Sequence, residues 1–132
     1  MYEFLLTKQP EKPIYGNGCL IVTAHEHAQY MSDHSQIEHD EMKADGSLFD
    51  LLKRVKKWAN FNLAAESIGT LMTDHFNAVT LVGHLLLDDG ISSRVNRNNI
   101  FRGGWKTLGV GMVLGGNVKY YDLIYANNYQ CV

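Results

Sequence analysis

The sequence predicts an α+β domain, and three observations predict it. Apolar residues recur at helical spacing from Leu20 to Met31 and again from Leu48 to Val55. Two β-type runs, Thr107 to Leu114 and Val118 to Ala126, flank Gly115-Gly116-Asn117, which is the pattern of a hairpin. The 132 residues are 45% hydrophobic with a net charge of −2, so one core forms and disorder is excluded. Helices first and a hairpin last imply helices packed on a small antiparallel sheet.

The same arithmetic excludes function classes. A dedicated nucleic-acid binder carries a basic excess that this chain lacks. The longest apolar stretch, Ala78 to Leu87, is interrupted by Thr80, Gly83 and His84, so no membrane span is expected. The start, Met1-Tyr2-Glu3-Phe4-Leu5-Leu6, has no basic region ahead of its apolar run, so no signal peptide is read there. An intracellular protein and a piece of a longer secreted one both remain open. Cys19 and Cys131 form no CxxC pair and are expected to be reduced.

Each element follows from local chemistry. Met1 to Lys8 is too short to stand alone as a helix. A loop with Pro10, Pro13 and Gly16 follows, and Asn17 is a suitable N-cap for the first long helix, whose face is Leu20, Ala24, His27, Ala28 and Met31. After a polar stretch, Ser47 is expected to cap a second helix, with Asp50 completing an approximate capping box. Lys53, Arg54, Lys56 and Lys57 fall mostly on its solvated side. Phe61 to Ile68 reads as a short strand. Thr73 or Asp74 opens a helix that Gly90 ends, apolar enough to be buried on more than one side.

Most motif-like features have plain structural readings. Gly109, Gly111 and Gly115 lie within a strand with no helix opening after them, so they suit close approach of another backbone better than a phosphate loop. His25-Glu26-x-x-Gln29 lacks the second His of the zinc-protease motif. His25 and His27 point to opposite sides of a helix. Four of six histidines lie between positions 25 and 39, a clustering that suggests metal only if the side chains converge. Arg94, Arg97, Arg102 and Lys106 suit packing and bonds to backbone carbonyls better than an anion site. No Gly-x-Ser-x-Gly turn or serine triad is present.

Leu87-Asp-Asp-Gly-Ile-Ser-Ser-Arg-Val-Asn-Arg-Asn-Asn-Ile-Phe101, followed by Lys106-Thr-Leu-Gly-Val-Gly111, resembles the CAP superfamily, or SCP domain. The resemblance is to its bacterial and protist, disulfide-poor branch. Upstream, the Ala24/His27-Ala28/Met31 helix, Asp45-Gly46-Ser47 and Ala65-Glu66-Ser67 occur in the family's order. The match runs over about residues 10–126 of one domain spanning 1–132, and the family's first helix is absent. The resemblance implies an α-β-α sandwich, here N-terminally shortened, with a central antiparallel sheet. It also implies a cleft carrying two His and two acids that can bind zinc. Position by position, the first His falls on His39, the first acid on Glu66, the second acid on Asp88, and the second His on Asn96.

Asn96 changes the expectation, because an amide is a poor zinc ligand beside an imidazole. No cofactor is expected, and zinc only if His84, one helical turn before Asp88, joins His39, Glu66 and Asp88 as the missing nitrogen. The reading is then a non-enzymatic module with a degenerate His/acid site. It would bind a small apolar ligand (lipid or sterol) or a protein partner. The alternatives are a metal-dependent hydrolase or peptidase using His39 and Glu66, and an interaction or scaffold protein, such as a homodimer covering the apolar surface that a missing first helix exposes. The family points to an extracellular setting.

Overall fold

In the computed structural model, residues 2–57, 63–88, 90–128 and 131 are described. Helix α1 (Tyr2–Leu6) leads through a loop to the two-residue strand β1 (Tyr15–Gly16) and the long helix α2 (Gly18–His34). A small antiparallel ribbon, β2 (Glu41–Met42) and β3 (Leu48–Phe49), precedes α3 (Leu51–Lys56). Then come β4 (Ala64–Met72), a 3-10 turn (Thr73–His75), α4 (Ala78–Leu87), α5 (Val95–Phe101), β5 (Thr107–Gly115) and β6 (Val118–Ala126).

The main sheet runs β1-β5-β6-β4. Its three long strands are antiparallel, as expected, but the edge strand β1 pairs in parallel with β5. Strand alternation divides the sheet into two faces. One carries Tyr120, Ile124 and Ala126 against Leu20, Ala24, Ala28 and Met31 of α2 and Val55 of α3. The other carries Tyr121, Leu123 and Tyr125 against Leu81 and Leu85 of α4 and Trp105. Helices therefore cover both faces, giving the expected α-β-α layering.

Asn17 caps α2, its side chain accepting from Leu20 N at 3.1 Å. The helix lies almost on the strand, because β5 presents glycine where α2 crosses. A Cβ at Gly109 would meet the backbone of Leu20, and one at Gly111 the backbone of Ala24 and His25, all well inside 3.0 Å. The glycines serve close approach, as their place within a strand predicts.

Four expectations are corrected. Ser47 bonds within a turn to Asp45, and Asp50 is the cap of α3, so that helix starts later than expected. Thr73 and Asp74 form the 3-10 turn, Asn77 caps α4, and Asp88 in the left-handed region ends it ahead of Gly90. Helix α4 buries only Leu81 and Leu85, whereas Val79 is 82% exposed and Val82 and Leu87 are also open to solvent. Cys19 and Cys131 are joined in a disulfide, because the fold brings Cys131 beside the start of α2. A separation of 112 residues left no sequence sign of that pairing. Of the expected strand, Ala64 to Ile68 lies in β4, and positions 61 and 62 fall outside the described residues. No described helix is long and apolar enough to cross a membrane.

Candidate functional site

A cluster of charged side chains sits on the α2 face of the sheet. Glu66 pairs across β4–β6 with Ile124, and Asp122 pairs with Ile68, so the two acids are diagonal neighbours on one face. Both are buried. Helix α2 lowers His27 onto them, α3 brings Arg54, β2 brings Glu41, and the loop after α2 brings His39.

Glu66 is held from two sides. Arg54 Nη2 donates to its Oε1, and His39 Nδ1 bonds its Oε2 at 2.7 Å. Arg54, only 2% exposed, also donates to the carbonyls of His39 and Phe49. Burial pushes the Glu66 carboxyl upward, but the His39 bond and the Arg54 charge outweigh it and hold the group below its ordinary range. The bond to Glu66 raises His39 above 6.5 against the opposing effect of burial.

His27 is fully buried. Its Nδ1 lies 2.9 Å from Glu41 Oε1 and its Nε2 lies 2.9 Å from the Glu38 carbonyl and 4.0 Å from Glu66 Oε1. Asp122 is 0% exposed, and neither of its carboxylate oxygens has a hydrogen-bond partner. Burial, and then the facing Glu66 carboxylate, push Asp122 well above the ordinary carboxyl range.

The expected cleft residues divide into two groups. His39 and Glu66 are in direct contact. Asp88 and Asn96 contact each other: Asp88 accepts from Asn96 N at 2.9 Å, from Asn96 Nδ2 at 2.8 Å and from Arg97 N at 3.2 Å. These bonds use both Asp88 oxygens to tie the end of α4 to the start of α5. His84 is an exposed side chain on α4. Among the described residues, the ligand atoms that converge belong to His27, Glu66 and Asp122. The set His39, Glu66, Asp88 and His84 thus does not fit the zinc that the resemblance implies.

The sequence reading missed His27, Glu41, Arg54 and Asp122 as members of the cluster. Arg54 looked like part of a solvated basic run, yet its side chain turns inward from a helix only six residues long. Asp122 carried the one usable signal, an acid at an inward position of a buried strand. The other arginines bond and pack as expected. Arg97 Nε donates to the Leu86 carbonyl at 2.6 Å, Arg94 Nη1 donates to the Leu87 carbonyl, and Arg102 stacks over Trp105.

The opposite face holds a groove. A wholly apolar compartment of about 190 Å³ lies between α4, α5 and the sheet, with Ile14, Val82, Leu85, Ile100, Leu108, Leu123 and Tyr125 as its walls. Ile14 and Ile100 also line an adjoining pocket of about 350 Å³, where Lys12, Arg102 and Lys106 supply three cations against the single acid Glu11.

Together, the layered fold and the Leu87–Phe101 segment define a class by likeness: an α+β domain with a CAP-like, or SCP-like, fold. Two solved structures share the fold. One is an outer surface protein from Borrelia burgdorferi, with a TM-score of 0.69 and 15% identity, matching 89% of this chain and 80% of its own. The other is an extracellular protein containing an SCP domain from Bacillus anthracis, with a TM-score of 0.66 and 25% identity. There the match takes in 89% of this chain but only 35% of the other. No protein-family profile and no curated protein matches the sequence.

Proposed function

We propose that this CAP-like domain is a binding module for a small amphiphilic lipid, taken in the groove between α4, α5 and the sheet. The observation that carries the reading is the pairing of an apolar compartment with a neighbouring pocket rimmed by cations. Ligand sites are typically concave and mostly apolar, with a few polar groups that fix orientation. The hydrocarbon part of the ligand would lie against Leu85, Leu108 and Leu123, and its polar end would face Arg102 and Lys12. Val82, a wall of the compartment that is itself exposed, carries the apolar surface out to solvent.

Displacement of a fluorescent long-chain fatty acid or sterol tests this. Ile14→Trp would fill the point shared by both compartments and abolish saturable binding. Absence of saturable binding to the parent, or unchanged binding to Ile14→Trp, would sink the reading. A stable dimer in sedimentation that dissociates in Val82→Lys would favour a protein partner on the same face.

One observation favours a second reading, hydrolysis. His39 has a side chain 62% exposed and a buried carboxylate at its Nδ1, which is the arrangement of an oriented general base. Cleavage of a peptide library that is lost in both His39→Ala and Glu66→Gln would support it.

A further inference from the structure

We propose that His27, Glu66 and Asp122 form a buried site for one divalent transition-metal ion of the zinc or manganese kind, beneath the cleft. One ligand atom from each lies within 4.8 Å of the others. The CAP resemblance marks His27 only as part of a helix pattern and not as a cleft ligand, and it does not mark Asp122, so this is a different donor set from the family's cleft ligands.

Three features favour an ion. The first is the orientation of His27. Glu41 holds Nδ1 at 2.9 Å, and Nε2 faces Glu66 Oε1 at 4.0 Å. An imidazole backed by a carboxylate on one nitrogen is the usual arrangement of a metal-ligating histidine. The second is Asp122, fully buried with both oxygens lacking a partner. A buried carboxylate needs compensation, and a cation supplies it. The third is the excess of acid groups: Glu41, Glu66 and Asp122 crowd around the single buried guanidinium of Arg54, and a divalent ion would offset that crowding.

Binding has a defined exchange. His27 Nε2 gives up its bond to the Glu38 carbonyl and releases to the buffer the proton it donates there, and the lone pair so freed goes to the ion. Glu66 Oε1 passes from Arg54 to the ion, while Arg54 keeps the carbonyls of His39 and Phe49. One imidazole and two carboxylates suit zinc or manganese and suit calcium poorly, since calcium takes about six to eight oxygens.

The test is calorimetric titration of chelator-stripped protein with zinc alone and manganese alone, in two buffers of different ionisation enthalpy, alongside thermal melts. The expected result is one equivalent of metal bound, with a raised melting temperature. Asp122→Asn and His27→Gln should each weaken binding by about tenfold or more, and Glu41→Gln by about 10- to 100-fold, while His84→Ala, exposed on α4 at the opposite face of the sheet, leaves it unchanged. Should Asp122→Asn fail to fold, His27→Gln carries the same reading independently. No binding up to about 1 mM metal, which is only about 4 kcal/mol of affinity, overturns the proposal. Binding that survives Asp122→Asn but disappears in His39→Ala overturns it as well, because the ion would then lie in the cleft. A metal-blind protein that Asp122→Asn stabilises would replace the ion with a carboxyl pair sharing a proton.

Discussion

Replacing Gly111 by alanine adds one methyl group to a protein of 132 residues, at the point where α2 crosses β5. The added Cβ would fall well inside 3.0 Å of Ala24 C and His25 N, which are backbone atoms of a helix that cannot swing aside as a side chain would. Ordinary contact between carbon atoms is about 3.5–4 Å, so helix and strand must separate by about 1 Å or more. Overpacking of this kind costs about 1–3 kcal/mol. For a domain of this size that is about 3–15 °C in melting temperature. Gly83→Ala is the matched control. It lies inside α4 with nothing within 4 Å of its would-be Cβ, and alanine in a helix interior stabilises by about 0.5–1 kcal/mol over glycine. Thermal melts followed by circular dichroism should therefore move in opposite directions for the two variants. Equal shifts, or a Gly111→Ala shift below about 2 °C, would show that α2 does not sit on the glycine strand. The same displacement would carry His27, three residues beyond Ala24, away from Glu66, so its ring resonances should shift in Gly111→Ala and stay in place in Gly83→Ala.

Arg54→Met leaves the buried Glu66 carboxylate without its fixed cation and should cost about 3–5 kcal/mol in denaturant unfolding, whereas a loss below about 1 kcal/mol would make the ion pair incidental. Cys131→Ser, or reductant, releases a loop of 112 residues that on chain-entropy grounds stabilises the fold by about 5 kcal/mol, so the melting temperature should fall steeply; equal melts with and without reductant would show that the bond does not form. In the metal-free protein, His39 should titrate above 6.5 by NMR and return towards 6.5 in Glu66→Gln. Because its folded value is raised, the stabilisation from protonated His39 is complete below 6.5 and disappears as pH rises through the folded value. Its exposure keeps that contribution small.

The parts of the fold legible in the sequence were those fixed by local periodicity. The α2 face, its Asn17 cap and the β5–β6 hairpin depend on neighbours a few residues apart, and all three are where the pattern put them. Helix α4 shows the limit of the same reasoning. An all-round apolar sequence says that burial would be favourable, but not which partners are at hand, and here the partners cover only Leu81 and Leu85. The disulfide and strand β1 depend on contacts between distant parts of the chain, which no local pattern records.

The candidate site divides along the same line. His39 and Glu66 came from motif resemblance and do meet at 2.7 Å. Asp88 and Asn96 came from the same resemblance, yet their chemistry is spent on each other. Once asparagine stands at that position, its amide and backbone N–H offer the hydrogens that the Asp88 carboxylate accepts, and the end of α4 is fastened to α5. The acid partner of Glu66 is instead Asp122, placed by strand register: two residues along β6 keeps a side chain on the same face of the sheet. A charge at that inward position is expensive to bury, while every neighbouring inward position on the strand is apolar or aromatic. That contrast makes Asp122, rather than the residues the motif marks, the position where loss of metal binding without loss of fold would be most informative.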